Sequence, residues 1–144
     1  MGFKEDLAAA KKAVDSGDRV KTPPVPVVLN GVEYDVLFYR VPTLEWSAVT
    51  IKHPPRPGID MDVANGYDIS GVAREVSVAH GRVVVAGEEQ HLEAEEWADL
   101  WESVSPKAAR YLEANVWFLH ERDADLEVES AKKGSRPASK RKSS

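Results

Sequence analysis

The pair Asn30-Gly31 constrains this chain more than any other feature, because it lies between two runs of β-forming residues within positions 25–41. Both residues tolerate positive φ, which the type I′ turn of a two-residue hairpin requires. The sequence therefore predicts a β-hairpin here. The second strand becomes apolar on both faces towards its far end, so we expect that end to be covered on both sides.

The segment before the hairpin has the composition of a helix. Residues 3–14 are rich in alanine, and Gly17 is typical of a helix end. The apolar stripe of this helix is thin, which indicates a peripheral helix or arm within residues 1–22; it consists of Phe3, Leu7, Ala10 and Val14. Three prolines at positions 23, 24 and 26 then predict extended chain.

Shorter helices and a further apolar segment are predicted between the hairpin and residue 87. Thr43 is a candidate N-cap for a helix over residues 43–52, and Asp68 for one over residues 69–79. The intervening residues 60–68 are predicted to be a loop. Residues 82–86 fit either a strand or an extended connector.

The C-terminal third has the strongest helical pattern. Residues 93–104 place acids first, and Ser105-Pro106 then both ends this helix and begins another that runs to about residue 121. A junction this short favours an αα-hairpin. The predicted fold is thus a mostly α-helical α+β domain over residues 23–126, with an N-terminal β-hairpin and a small helical bundle that ends in an αα-hairpin.

The charge distribution is strongly asymmetric. The whole chain has a formal net charge of −5, but residues 1–131 carry 13 Lys+Arg against 24 Asp+Glu, a net charge of −11. Residues 132–144 carry six basic residues and no acid. Because residues 127–144 lack the apolar content to offset their ordering entropy, we predict that this basic tail is disordered in isolation.

No arrangement of reactive side chains indicates catalysis. The chain has no cysteine, and its four histidines are scattered at positions 53, 80, 91 and 120. The Asp-rich stretch from Asp60 departs from a calcium loop, because Gly66 is one position late and Gly71 stands where the bidentate Glu is needed. We therefore predict no cofactor, no metal and no enzymatic activity. Because the sequence contains neither a membrane-spanning apolar run nor a signal sequence, we also predict a soluble cytoplasmic protein.

The four tryptophans, at positions 46, 97, 101 and 117, all fall on predicted helices. Filling the core of a small domain is one interpretation. The other is a binding ridge, because Trp97, Leu100 and Trp101 lie on one helix face and could anchor a partner helix. The candidate partner-binding residues are Trp97, Leu100, Trp101 and Trp117.

The order of these elements resembles a known family. A Trp-containing helix follows the Asn-Gly hairpin and leads to His53-Pro54-Pro55, and then to an Asp-rich loop with Asn65-Gly66-Tyr67-Asp68. The pattern L-x-A-E-E-W-x-x-L at residues 92–100, Ser105-Pro106 and a last helix near residues 117–119 complete the series. Over residues 23–122 this looks like the tail assembly chaperones of siphophages, especially those that infect actinobacteria.

The resemblance implies a function without catalytic residues. Such chaperones bind the tape measure protein and keep it soluble in the host cytoplasm while the tail tube assembles, and they are absent from the finished virion. They are commonly made in two forms by ribosomal frameshifting, so the resemblance implies a longer isoform of this chain as a partner. The tail tube protein and a second copy of this chain are further candidate partners.

Lys132-Lys133 is the candidate frameshift point, because slippery heptamers often encode a Lys-containing pair. Residues 1–131 would then be shared with the longer isoform, and this chain would be the short form. An ordinary solubilising basic tail is the alternative interpretation of the same residues.

Two other classes of function stay open. A structural tail or head–tail connector protein would also be small. A nucleic-acid-binding protein could use the basic tail for non-specific phosphate contacts, although the acidic body disfavours it.

Overall fold

The computed structural model describes residues 2–16 and 20–135. The predicted helix stop at Gly17 and the last part of the basic tail, residues 136–144, lie outside the described residues. Within the described ranges the fold is mostly helical with one antiparallel sheet, which confirms the predicted α+β class.

The predicted β-hairpin is present. Strand β1 (Val25–Leu29) pairs antiparallel with β2 (Val32–Phe38), and the turn residues Asn30 and Gly31 have φ values of 51° and 77°. The last three residues of β2 are all buried, so the expected cover on both sides is confirmed. The chain just before the hairpin extends the pairing, because Thr22 donates its backbone N–H to the Phe38 carbonyl and accepts the Phe38 N–H on its hydroxyl.

Two more strands complete the sheet. The apolar segment that fitted a strand or a connector is strand β3 (Gly81–Val85), which pairs antiparallel with β2. It turns back through Ala86 and Gly87, both at positive φ, into the short strand β4 (Glu88–Gln90). The strand order β1-β2-β3-β4 follows the sequence.

The N-terminal and middle helices are α1 (Phe3–Ser16), α2 (Thr43–Lys52), α3 (Asp60–Asn65) and α4 (Ile69–His80). Asp68 caps α4 as predicted, accepting the Gly71 N–H at 3.0 Å. The loop prediction is wrong for α3, a one-and-a-half-turn helix that the structure stabilises through buried contacts of Asp62. The N-cap of α2 is Pro42 and not Thr43, because Thr43 already has helical geometry as the first residue of the helix.

The C-terminal helices are α5 (Ala94–Ser103), α6 (Pro106–Trp117), a π-helix (Phe118–Arg122) and α7 (Asp123–Ser135). Ser105 caps α6 as predicted, accepting the Ala108 N–H at 3.2 Å. α5 and α6 are joined by two residues, and each makes its main helix contacts with α4. α5 and α6, which the sequence predicted to fold back on one another as an αα-hairpin, therefore pack more extensively against α4 than against each other.

Residues 127–135 of the tail that was predicted to be disordered in isolation belong to α7 in the structure. The side chains of residues 127–133 are exposed, which explains why an apolar pattern could not reveal this part of the helix. A contact distant in sequence supports the helix, since the Arg40 guanidinium donates to the Glu127 carboxylate at 2.6 Å.

The core lies between the sheet and the helices α4, α5 and α6. Its largest buried side chains are Phe38 and Trp97, whose ring centroids lie 6.2 Å apart. Burial of such aromatic side chains supplies much of the hydrophobic stabilisation of a domain of this size.

Candidate protein-binding surface

The structure separates the four candidate partner-binding residues. Trp97, Leu100 and Trp101 are buried in the core, with only 1% of Trp97 exposed. The Trp101 indole N–H donates to the Ser77 hydroxyl at 3.1 Å, which satisfies it inside the protein. The folded protein therefore does not present these three residues as a binding ridge, because their helix face packs against the core. Of the two interpretations, core filling describes them.

Trp117 is different, because it lies at the surface. It is half-buried at the end of α6, and its indole N–H donates to the Asn65 side-chain oxygen at 2.9 Å. The Phe118 ring meets the Trp117 ring edge to face, with centroids 5.1 Å apart. The Trp117–Asn65 bond ties the end of α6 to the end of α3.

An apolar groove runs between these two helices, and we call it the α3/α6 groove. Its cavity volume is about 370 Å³. Met61 and Phe118 on its walls are 48% and 49% exposed. The remaining lining residues are Arg56, Ile59, Asp62, Ile69, Arg110, Glu113, Ala114 and Trp117.

An ion pair between the buried Asp62 and the partly exposed Arg56 holds the α3 wall of the groove in place. The fully buried Asp62 carboxylate accepts the backbone N–H groups of Arg56 and Ile69 and two guanidinium N–H groups of Arg56. These hydrogen bonds, led by the Arg56 side chain, lower the pKa of Asp62 to about 2 despite its burial. The groove therefore rests on a fixed, ionised pair and does not depend on the packing of a loop.

The other wall contains the π-helix, whose wider turns begin at Phe118. π-Helical turns inside an α-helix are rare and are frequently found at functional sites. Here the π-helix keeps Leu119 in the core while Phe118 lies exposed at the groove.

The rim of the groove carries one unpaired positive charge. Arg110 is exposed and forms no ion pair with any residue that the structure describes. The neighbouring Glu113 is already engaged, because it accepts from the Ser70 hydroxyl at 2.8 Å and lies 3.6 Å from Arg74. A ligand at this groove would thus meet an apolar floor and a cation free to pair with a carboxylate.

A second apolar surface lies on α2. Leu44 and Ile51 are 86% and 81% exposed, and Ser47 and Ala48 between them are also exposed. Their i, i+3, i+4, i+7 spacing places these four residues on one side of the helix, opposite the buried Val49. We call this surface the α2 outer face.

No cluster of metal ligands accompanies these surfaces. Over residues 2–16 and 20–135, no group of three or more His, Asp or Glu side chains is placed to hold a metal ion. Within the same ranges, no helix has the length and apolar content needed to cross a bilayer.

Comparison with known proteins gave no relative. No protein-family model, curated protein or solved structure matches this chain. The surfaces above therefore have to be interpreted from their own chemistry.

The candidate frameshift residues, Lys132 and Lys133, lie exposed on α7 and do not line the groove. Sequence reasoning missed Met61 and Phe118, because Met61 was assigned to a loop and Phe118 to an ordinary helix. It also missed Leu44 and Ile51, although their seven-residue separation on a predicted helix was a signal that could have revealed them.

Proposed function

We propose that this chain is the short form of a siphophage tail assembly chaperone, which binds the tape measure protein and keeps it soluble during tail tube assembly, without catalysis. The observation that carries the proposal is the α3/α6 groove. It combines exposed apolar side chains with a wall that the buried Asp62 fixes through its ion pair with Arg56. The resemblance in the order of sequence elements is what points to the tape measure protein as the partner.

The groove suits helix-in-groove recognition, in which the apolar face of an amphipathic helix binds in a hydrophobic groove. An apolar side chain of the tape measure helix would enter between Met61 and Phe118, and a carboxylate one turn away would pair with Arg110. Many weak contacts of this kind along a long helical partner give a strong overall attachment when several copies bind.

The acidic body contributes solubility. Residues 1–131 have a net charge of −11, so copies arrayed along one partner repel neighbouring complexes and oppose aggregation. Under this proposal the protein acts in the host bacterial cytoplasm together with a longer frameshifted isoform and the tail tube protein, and the mature virion lacks it.

Coexpression with the tape measure protein of the same phage tests the proposal. We expect the wild-type chain to keep the tape measure protein in the soluble fraction, and Met61→Glu and Phe118→Glu to lose much of this effect. Val63→Glu is the matched control, because Val63 is exposed on the same helix as Met61 but does not line the groove. A tape measure protein that is equally soluble with and without the wild-type chain would exclude the chaperone function.

Three further outcomes distinguish the groove assignment and the alternative functions from the proposal as a whole. If the wild type protects the tape measure protein and both groove variants protect it equally, the function stands and the groove assignment fails. If mass spectrometry finds the chain in purified virions at the level of a tail component, the protein is structural. Retention of DNA or RNA on filters in low salt would favour the nucleic-acid alternative.

A further inference from the structure

The α2 outer face has properties that the proposed chaperone groove does not explain. Leu44 and Ile51 are the most exposed large apolar side chains among the described residues, and they flank the small residues Ser47 and Ala48. Exposed apolar residues scattered singly are common, but an aligned stripe on one helix indicates an interface.

We propose that this face is the two-fold interface of a homodimer, in which α2 of one copy packs antiparallel against α2 of a second copy. The inference is independent of the proposed function, because it uses none of the groove residues.

The stripe is complementary to itself. A two-fold axis that passes between Ser47 and Ala48 places Leu44 of one copy opposite Ile51 of the other, and the reverse pair forms at the other end. The small residues then meet at the centre, where two helices have to approach most closely. Each large side chain thus packs beside a small pair and does not collide with its own copy.

The charges on one flank of α2 fit the same arrangement. Glu45 and Lys52 are separated by seven residues and therefore lie on the same side of the helix. The antiparallel two-fold brings Glu45 of one copy alongside Lys52 of the other, twice per dimer. Both side chains are exposed, and each also pairs with α4 of its own copy, Glu45 with His80 at 2.6 Å and Lys52 with Glu75 at 2.5 Å, so the contacts between copies share these charges.

The size of the interface sets the strength of the dimer. A single ten-residue helix from each copy buries less than the roughly 1,000 Å² typical of stable complexes, and the acidic bodies repel each other. We therefore expect a reversible dimer with a Kd of roughly 10–100 μM.

Sedimentation equilibrium of the full chain over a concentration series from about 5 to 500 μM tests the dimer. We expect the weight-average mass to approach twice 15.9 kDa for the wild type and to remain at one copy for Ile51→Glu. Val63→Glu, the same change at an exposed site on α3, should dimerise as the wild type does. A wild type that stays monomeric throughout, or a dimer that Ile51→Glu leaves intact, would overturn the proposal.

Because the chain has no cysteine, single introduced cysteines can test the antiparallel geometry. Under mild oxidation Ala48→Cys should form an interchain disulfide, and a mixture of Leu44→Cys with Ile51→Cys should crosslink faster than either variant alone. Faster crosslinking of Leu44→Cys with itself would contradict the antiparallel order.

The exchange of charges gives a rescue test, since Glu45→Lys and Lys52→Glu should each weaken the dimer and the double variant should regain it.

Discussion

The imidazole of His120 lies flat on the indole of Trp46, with ring centroids 3.9 Å apart and ring planes 2° from parallel. This stack joins the π-helix to α2. The Val41 backbone N–H donates to His120 Nε2 at 2.8 Å, and Nδ1 lies 2.8 Å from the Val116 carbonyl. His120 is therefore neutral, with its proton on Nδ1, because Nε2 has to accept.

We predict that the free energy of unfolding depends on pH through His120. Burial, together with the nearby Arg40 and His80, lowers its pKa from 6.5 to about 4, although the Val116 carbonyl acts in the opposite direction. Between these two values the unfolded state binds more protons than the native state, so stability falls as the pH falls from about 6.5 to 4. The full difference corresponds to about 3 kcal/mol. Urea unfolding at a series of pH values measures it.

His120→Gln should flatten this dependence, because the amide accepts and donates a hydrogen bond without titrating. His91→Gln is the control, since His91 is exposed and should leave the pH dependence as in the wild type. An equal slope for the wild type and His120→Gln between pH 4 and 6.5 would exclude this origin of the effect.

We predict that Asp62→Asn destabilises the protein by about 2 kcal/mol or more, because an amide cannot replace the charge that four hydrogen bonds converge on. Asp60→Asn, on the exposed side of the same helix, should cost less than about 1 kcal/mol. Denaturant unfolding at pH 7 compares the two. Equal losses would show that the pair of Asp62 with Arg56 does not hold α3 in place.

Trp97→Ala should lower the free energy of unfolding by about 3–5 kcal/mol, because it leaves a large cavity in the core. Phe118→Ala should cost less than about 1.5 kcal/mol, since half of this side chain is already exposed. If Trp97→Ala lowers the free energy of unfolding by less than Phe118→Ala does, the division between core and groove residues is wrong. Thermal and denaturant unfolding of the two variants provide the measurement.

Gly81→Ala should destabilise by about 1–3 kcal/mol through overpacking. An added Cβ would lie 2.6 Å from Cζ2 of the buried Trp97 and 2.7 Å from the Ser77 carbonyl oxygen, neither of which can move freely. Gly31→Ala isolates the backbone effect, because its φ is 77° and no atom lies within 4 Å of the added Cβ. We expect about 1 kcal/mol there from the left-handed conformation alone. A smaller loss for Gly81→Ala than for Gly31→Ala would contradict the steric argument.

Local chemistry accounts for the elements that were predicted correctly. Asn30-Gly31 specified its turn because few other pairs adopt two positive φ values, and Asp68 and Ser105 capped their helices because short polar side chains reach the free N–H groups. Helix α3 was missed because its stability comes from a carboxylate buried against Arg56, a contact that periodicity does not record. The sequence pattern also did not indicate helix α7 beyond residue 126, where Glu127 pairs with Arg40.

The sequence by itself determined the mostly helical α+β class, the hairpin and the starts of α4 and α6, because these depend on neighbours along the chain. It also determined the acidic body and the basic end. Only the tertiary structure decided which aromatic residues are core and which are surface, because helical spacing identifies a face without saying what covers it. The sheet and α4 cover Trp97 and Trp101, whereas Trp117, Phe118, Leu44 and Ile51 remain at the surface, where a partner can reach them.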